Sequence, residues 1–414
     1  MIHVVGAGLA GLSAAVALAA QGARVVLSEA ARQAGGRCRS YHDSQLDMTI
    51  DNGNHLVLSG NPAVHRFLEA IGAQGRLAGP SVAAFPFFDV ATGKSWTLRP
   101  NDGVIPWWLL DSNRRVPETG IGEYVAIASL MRRHPGRRID EVLPCKGNLW
   151  ERFLRPLFVS VLNTPPEESS ADLAGAVMRE TFAKGGRSIH PRVATPSLAA
   201  AFVDPALERL RQLGADIHLG RRLAGLKLQH GKVTSLAFTD GEHALEPGDS
   251  VILAVPPWTA QELLPGLTVP DAFCAIVNAH FKLAPLSELP LIVGLIGGTA
   301  EWVFAFSDRL SVTVSAADRL VDIDSEVLAQ TLWRDVAAVH GLPETTPPWR
   351  IVKEKRATFA ATPAQNARRP SSSTQWSNLF LAGDWTDTGL PATIEGALRS
   401  GERAAALASR VTLQ

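Results

Sequence analysis

The chain has 414 residues, with 40 basic and 40 acidic side chains and a formal net charge of zero. This length predicts two closely connected domains, and the balanced charge argues against nucleic acid as a partner. Three cysteines without a CxxC pair (Cys38, Cys145 and Cys274) argue against a disulfide framework and against a metal site, and favour the reducing cytoplasm. We expect no membrane span, because no apolar run is long enough, and no secretion signal, because a strand begins at residue 2.

The first three elements predict a βαβ unit. Residues 2–5 have the apolar character of a buried strand, residues 10–20 that of a helix rich in alanine and leucine, and residues 24–28 that of a second strand. A short helix is predicted at 63–71. Proline and glycine are then dense from residue 79 to residue 106, which indicates a change of domain.

The later elements are predicted from apolar periodicity and turn residues. They are helices at 120–133, 149–162, 198–213, 325–340 and 394–409, strands at 216–219, 225–229, 233–239, 251–257, 275–283 and 379–383, and a polar loop at 370–377. In the strand at 275–283, apolar residues alternate with Asn278, His280 and Lys282, and we expect this polar face to meet solvent.

These elements suggest a domain assembled from separated segments, with a second domain inserted between them. The first domain is predicted to comprise residues 1–75, 198–260 and 370–414, and the second residues 76–197 and 261–369.

A nucleotide fingerprint, GAGLAG at residues 6–11, follows the first strand and opens the first helix. Gly6 permits the tight turn, Gly8 lets a pyrophosphate approach the backbone, and Gly11 lets the helix pack closely against the strand. The free N–H groups of the helix N-terminus favour the phosphates. Glu29 closes the second strand, where its carboxylate can accept hydrogen bonds from ribose and disfavours a 2′-phosphate.

A second glycine-bearing element, residues 382–384 followed by a helix from Ile394, closes the chain and favours FAD over NAD. FAD is long, and a second helix N-terminus stabilises negative charge on its reduced ring. Asp384 is predicted to bind a ribityl hydroxyl. Only one dinucleotide fingerprint is present, because the glycines at 294–298 interrupt an apolar run without opening a helix, so the electron donor is expected to be external.

Several motifs together resemble the flavin amine oxidase and phytoene desaturase superfamily and, within it, the hydroxysqualene dehydroxylases. They are GAGLAGLSAA, Glu29, GGRCRS, IDNGNH at 50–55, VILAVPP and AGDWTDTGLPATIEGALRSGERAA at 382–405. The resemblance implies an α/β, two-dinucleotide-binding-domain FAD fold (Rossmann-like, GR2-type) with an inserted α+β substrate domain. It implies non-covalent FAD and reduction of hydroxysqualene to squalene by hydride from the reduced flavin. The implied cofactor residues include, besides Gly6, Gly8, Gly11, Glu29 and Asp384, the residues Leu9, Ala10, Ala30, Gly36, Arg37, Gly53, Asn54, Leu223, Gly383, Thr393 and Ile394.

Departures from relatives favour the squalene branch. Amine oxidases carry an aromatic cage residue at the position that matches Thr393, so amine oxidation is the weaker alternative. Carotenoid desaturases tend to have Gly-Pro where Gly53 is followed here by Asn54-His55. A carotenoid-type desaturase stays the first alternative, and a non-catalytic carrier of prenylated GTPases, which shares the superfamily fold, is a third.

Loss of an allylic hydroxyl as water needs a proton, and the family segment that passes the flavin ring makes His55 the candidate donor. Asp51 is expected to fix the local backbone instead. A C30 isoprenoid substrate resides in lipid, which predicts peripheral membrane contact on the cytoplasmic face. The candidates for this contact are the apolar runs 85–88 and 106–110 and the basic residues Arg132, Arg133, His134, Arg137 and Arg138.

Overall fold

A computed structural model describes residues 1–284 and 289–412, so residues 285–288 and 413–414 of the predicted domain ranges lie outside the described residues. The α-helices are α1 Leu9–Ala20, α2 Pro62–Ala70, α3 Ile121–Ala126, α4 Arg155–Leu162, α5 Ala171–Glu180, α6 Asp204–Gln212, α7 Pro257–Leu263, α8 Ser325–His340, α9 Pro363–Ala367 and α10 Ile394–Thr412. The strands are β1 Ile2–Val5, β2 Val25–Glu29, β3 Ser40–Asp43, β4 Met48–Asp51, β5 Leu56–Leu58, β6 Leu77–Ala78, β7 Phe85–Asp89, β8 Lys94–Leu98, β9 Pro191–Ala194, β10 Asp216–Leu219, β11 Leu223–Gln229, β12 Lys232–Phe238, β13 Gly241–Ala244, β14 Ser250–Leu253, β15 Phe273–Lys282, β16 Ile292–Ile296, β17 Trp302–Ala305, β18 Arg309–Val314, β19 Trp349–Phe359 and β20 Leu379–Leu381.

A parallel five-stranded sheet in the order β10-β2-β1-β14-β20 collects strands from distant parts of the chain. Its central strands are buried, which suits their continuous apolar runs. The predicted βαβ unit and the Rossmann-like α/β fold class are confirmed. The carboxyl ends of β1, β2, β14 and β20 share one edge of this sheet, where ligands bind in open α/β sheets.

The helices α1 and α10 bring the two ends of the chain together. Gly11 lies so close to the turn before α1 that a Cβ there would stand 1.9 Å from the carbonyl oxygen of Gly6. A Cβ at Gly401 on α10 would similarly stand 2.2 Å from the carbonyl oxygen of Ala10. Small residues on both helices therefore permit a close contact that larger side chains would prevent.

A mixed seven-stranded sheet in the order β19-β15-β18-β17-β16-β7-β8 forms a second layer. One face packs on α8, whose Trp333 is 2% exposed and contacts Phe281. Only the β16–β7 pairing is parallel within this sheet as described. The other face is turned toward the five-stranded sheet, across a cavity that residues of both sheets line.

The hairpin predicted at 225–229 and 233–239 is present as β11 and β12, turns at His230-Gly231 and forms a sheet of its own with β13. Other predicted elements have different bounds. The strand predicted at 251–257 ends at Leu253, since Pro257 begins α7 and prolines cannot donate ladder hydrogen bonds. The helix predicted at 120–133 changes to a 3-10 helix after Ala126.

The expectation that the polar face of the strand at 275–283 meets solvent is wrong for two of its three residues. Asn278 and His280 are buried, at 1% and 0% exposure, whereas Lys282 is exposed. The polar residues do alternate along the strand, but their side chains contact Asp51 and Asn54, at the end of β4 and in the loop after it, and not water. Alternation along a strand does not show which of its two faces is covered by other parts of the chain.

Candidate active site

A cavity of about 810 Å³ lies between the two large sheets and brings the predicted site residues together. Its lining includes His55 and, from the predicted cofactor set, Gly6, Gly8, Leu9, Ala10, Glu29, Ala30, Gly36, Arg37, Gly53, Asn54, Leu223, Gly383, Asp384, Thr393 and Ile394. Gly11 is the one predicted residue outside the lining, since it contacts the Gly6 carbonyl instead. Residues from both ends of the chain thus share one cavity.

The turn between β1 and α1 leaves open space at Gly8. A Cβ at Gly8 would meet no atom within 4 Å, so the backbone there faces the open cavity at the N-terminus of α1. Glu29 accepts hydrogen bonds from the backbone N–H of Ala7 (2.7 Å) and of Ala31 (2.8 Å). These bonds hold the phosphate turn against the end of β2, and each carboxylate oxygen keeps a free lone pair for a ribose hydroxyl.

An ion pair joins the two remote segments of the site. Arg37 Nη2 lies 2.7 Å from Asp384 Oδ1, and the Asp384 side chain is only 7% exposed. Burial has the largest single effect and lowers the pKa of Arg37, but the charge and hydrogen bond of Asp384, with Cys38 and Glu354, together outweigh it, so the net shift is upward and the guanidinium stays charged. This pair fixes the loop after β2 to the turn after β20.

Asp51 and His280 hold the loop after β4 in place. Asp51 Oδ1 accepts from Ser40 Oγ (2.5 Å) and from the backbone N–H of Leu198 (2.9 Å), the backbone-fixing role expected for it. His280 Nε2 lies 3.0 Å from the Asp51 carbonyl oxygen and Nδ1 lies 2.8 Å from Ser311 Oγ. A carbonyl only accepts, so Nε2 carries the proton. Burial, and next the Arg309 charge, lower the pKa of His280 to about 3.

His55 lines the cavity as a neutral imidazole. Burial first, and then the Arg37 guanidinium, lower the pKa of His55 to about 4, against a smaller upward effect of a hydrogen bond to the Arg37 backbone. At neutral pH only about one ring in a thousand is protonated. The role of His55 as proton donor stays a prediction, and it would act through this small protonated fraction.

Neighbouring strands of the seven-stranded sheet place five residues in one row, which we call the cavity row: Asn278, Thr313, Trp302, Gly294 and Phe87. At one end Thr313 Oγ1 donates to Asn278 Oδ1 (2.8 Å) and accepts from Asn54 Nδ2 (3.2 Å). At the other end the rings of Phe87 and Trp302 meet edge to face with centroids 5.6 Å apart. The row therefore runs from polar, beside Asn54, to aromatic.

Thr313, Trp302 and Phe87 belong to the site but were not among the predicted site residues. They lie on strands with no local motif, and only the pairing of distant strands brings them together. Asn278 did carry a signal, because a polar residue alternating within an apolar strand is worth testing as a site residue when both sheet faces are covered.

The predicted membrane-contact residues divide into two groups. Phe85 and Phe87 line the cavity in β7, so the run 85–88 does not form a surface patch. In the run 106–110, Trp108 is buried against Tyr124 and Leu109 is half-buried, but Trp107 and Leu110 are exposed. The Trp108–Tyr124 contact holds this run beside α3, and the exposed large apolar side chains of the two segments, which we call the exposed apolar patch, are Val104, Ile105, Trp107, Leu110, Ile121 and Val125, with exposures from 42% to 78%.

No helix of the described chain is both long and apolar enough to cross a membrane. Within residues 1–284 and 289–412, no group of three or more His, Cys, Asp or Glu side chains is arranged to hold a metal ion. A second cavity of about 870 Å³, lined by Ser40, Tyr41 and Arg309 among others, contains none of the predicted cofactor residues.

The fold and the cavity define a flavin-dependent oxidoreductase, and sequence comparison agrees: the model of the flavin containing amine oxidoreductase family matches residues 9–408, so the chain belongs to that family. Among curated proteins, the chain is 50% identical to the hydroxysqualene dehydroxylase of Rhodopseudomonas palustris, over 98% of this chain and 97% of that protein. It is 47% identical to the hydroxysqualene dehydroxylase of Zymomonas mobilis, over 98% of both chains. The 15-cis-phytoene desaturase of Arabidopsis thaliana is 24% identical.

Solved structures with the same fold extend over the whole chain. A protoporphyrinogen oxidase described as putative, from Exiguobacterium, superposes with a TM-score of 0.70 at 19% identity, covering 100% of this chain and 99% of its own. Cyclohexylamine oxidase from Brevibacterium oxydans gives 0.72 at 15% identity, covering 99% and 98%. These structures confirm the predicted fold class.

The residues of the cavity fit a flavin. The open space at Gly8 admits a phosphate to the turn, and the cavity continues from there to Gly383 and Thr393. Asn54 Oδ1 is buried without a hydrogen-bond partner in the described chain, although buried acceptors are nearly always paired. A bound ring with an N–H group would supply the missing donor.

Proposed function

We propose that the cofactor is FAD, bound non-covalently. The cavity is lined by the phosphate turn at Gly8, by the Glu29 carboxylate and by Asp384 from the other end of the chain, a set that suits a dinucleotide and not a mononucleotide. Burial raises the pKa of the Cys38 thiol to about 12, so this cavity-lining cysteine stays protonated and is a poor nucleophile for flavin attachment. Acid precipitation should release all flavin, and chromatography should identify it as FAD; flavin that stays with the polypeptide would contradict the proposal.

We propose further that the enzyme reduces hydroxysqualene to squalene. The observation that carries this proposal is the long aromatic and aliphatic wall of the cavity, built from Phe87, Phe153, Phe182, Ile292 and Phe304. It suits a hydrocarbon chain, for which each buried methylene contributes about 0.8 kcal/mol. The near-full-length identity to dehydroxylases of this name supports the same assignment.

In the proposed reaction the C–O bond breaks, the hydroxyl leaves with a proton as water, and a hydride completes the new C–H bond. A reduced flavin bound in the cavity would supply the hydride. The chain's residues exclude water with their aromatic wall and hold the reacting carbon close to the Gly53-Asn54-His55 segment. His55 of this segment is the proposed source of the proton.

Turnover assays distinguish the proposal from its alternatives. Flavin-loaded protein with a chemical reductant should convert hydroxysqualene to squalene, detected by gas chromatography, and should leave phytoene unchanged. Desaturation of phytoene without squalene formation would identify a carotenoid-type desaturase. Hydrogen peroxide released from a panel of amines would identify an amine oxidase.

The electron donor is proposed to be external. Residues 294–298, the other glycine-rich stretch, lie largely within strand β16 and open no helix. NADH or NADPH alone should therefore reduce the bound flavin slowly, and addition of a separate reductase or a chemical donor should accelerate reduction. Fast reduction by the nicotinamide alone would contradict this proposal.

We propose that the exposed apolar patch contacts the cytoplasmic face of a membrane, where the substrate resides. Arg132 and Arg133 are exposed and close in sequence to the patch residue Val125, so their charges can contact anionic lipid. In a flotation experiment with liposomes of anionic and neutral lipid, the protein should bind the liposomes through this patch and rise with them to the top of the gradient. Ile105→Asp combined with Leu110→Asp should abolish flotation, and Val327→Asp, at an exposed apolar position on α8, should not. Wild-type protein that stays at the bottom would contradict the proposal.

A further inference from the structure

Trp302 carries a buried hydrogen-bond donor that no group of the described chain uses. Its indole Nε1 is buried and lacks a partner among residues 1–284 and 289–412, although the residue lines the cavity. Buried indole N–H groups usually find a partner, and an unused one loses its hydrogen bond to water without compensation. A ligand with an acceptor atom in the cavity would remove this cost.

The surroundings of Trp302 limit what that acceptor can be. On one side Trp302 is paired in register with Thr313, whose hydroxyl already donates to Asn278. On the other side are Gly294, where a Cβ would stand 2.6 Å from the Phe87 ring, and Phe87 itself. Trp302 therefore stands at the boundary of the cavity row, where the polar segment beside Asn54 gives way to the hydrocarbon wall. A single oxygen on an otherwise apolar chain suits this boundary.

We propose that the Trp302 indole N–H donates to the hydroxyl oxygen of the substrate and so distinguishes the hydroxylated substrate from its hydrocarbon product. The inference rests on the proposed function. A donor is the group the departing oxygen needs, because electron density gathers on that oxygen as the C–O bond breaks. The same contact is lost once water has formed and left, so the product gains nothing from Trp302 and is released more readily.

The chain offers a matched control at Trp96. Its indole Nε1 is likewise buried without a partner in the described chain, and its ring stacks on Phe87 with centroids 5.7 Å apart. Trp96 extends the cavity row on β8 but does not belong to the described lining of the cavity. Trp302→Phe and Trp96→Phe therefore each remove one buried indole N–H from the same sheet face. Trp302→Phe removes it from the cavity lining, and Trp96→Phe removes it from outside that lining.

The test measures binding of hydroxysqualene and of squalene to the oxidised, flavin-loaded protein by the change in flavin absorbance. We expect Trp302→Phe to weaken hydroxysqualene binding about tenfold and to leave squalene binding unchanged, because one hydrogen bond is lost. Trp96→Phe should keep the wild-type ratio of the two affinities. A wild-type ratio in Trp302→Phe, or loss of flavin from it, would overturn the proposal.

A second measurement needs no variant. Among the indole N–H signals of the ten tryptophans in a ¹⁵N spectrum of wild-type protein, one should move downfield with hydroxysqualene and not with squalene. If no indole signal separates the two ligands, the assignment to Trp302 is wrong. Failure of the proposed function looks different: the wild-type protein would then form no squalene from hydroxysqualene under any reducing condition.

Discussion

Arg37 and Asp384, 347 positions apart in the chain, form an ion pair of 2.7 Å in the wall of the cavity. The pair links the loop that follows the phosphate turn to the corner that follows the last strand. Arg37 also donates to the backbone carbonyl of Ala357 at the end of β19, so one side chain connects both large sheets. The geometry of the cavity depends on this connection.

Asp384→Asn should weaken flavin binding about tenfold and destabilise the fold by about 1–3 kcal/mol, because the charged hydrogen bond to Arg37 is lost in a mostly buried site. Flavin retained through gel filtration and the urea midpoint measure these two effects. Glu402→Gln is the control, since it breaks the more exposed pair with Arg66 and should leave flavin content unchanged. Equal flavin content in Asp384→Asn and wild type would contradict the role of the pair.

Substitutions of two glycines of the fingerprint should have different effects. Gly8→Ala places a methyl group in open cavity space, so the variant should fold normally but lose flavin. Gly11→Ala places a methyl group 1.9 Å from the carbonyl oxygen of Gly6, so the variant should not fold stably. Gly75→Ala, where a Cβ meets no atom within 4 Å and which lines neither of the two described cavities, should retain both fold and flavin. Circular dichroism and flavin absorbance separate these outcomes, and full flavin content in Gly8→Ala would refute the phosphate assignment.

Acid should destabilise the protein through its buried histidines. The folded pKa of His280 is about 3, below the unfolded value of 6.5, so its contribution is complete above pH 6.5 and is lost as the pH falls toward 3. At pH 5 the loss from His280 alone is about 2 kcal/mol. His280→Gln should remove this part of the difference in urea midpoint between pH 7 and pH 5, while His3 and His55, both lowered to about 4, keep the rest.

The control for this measurement is His42→Gln, whose imidazole is 60% exposed and which should keep the wild-type acid dependence. A His280→Gln protein with the full wild-type difference between the two pH values would show that His280 is not held neutral by the fold.

The proton-donor role of His55 predicts an unusual pH profile. Because its pKa is about 4, the protonated fraction grows about tenfold per pH unit between pH 7 and pH 5, and the single-turnover rate should grow with it without a plateau near 6.5. His55→Gln should flatten this profile. A rate that does not depend on pH, or the same slope in His55→Gln, would assign the proton to another group.

The sequence was sufficient for the parts of the site that sit on local motifs. Gly8, Glu29 and Asp384 each stand beside a buried strand, and parallel strands bring their carboxyl ends to one edge. The sequence was insufficient for Trp302 and Thr313, because β17 and β18 carry no motif and their position depends on antiparallel pairing with β15.

The error at Asn278 and His280 has the same origin. Alternation along β15 showed correctly that two faces differ, but not that the polar face would be covered by the loop holding Asp51 and Asn54. The run 106–110 shows a similar limit: Trp107 and Leu110 are exposed, but local sequence gave no reason to separate them from buried Trp108.

The central claim is that reduced flavin in this cavity replaces the hydroxyl of hydroxysqualene by hydrogen. The direct measurement is anaerobic stopped-flow mixing of pre-reduced, flavin-loaded protein with one equivalent of hydroxysqualene. We predict that flavin absorbance returns at the rate at which squalene forms, with one squalene for each flavin oxidised. Flavin that stays reduced while hydroxysqualene is recovered intact would contradict the account.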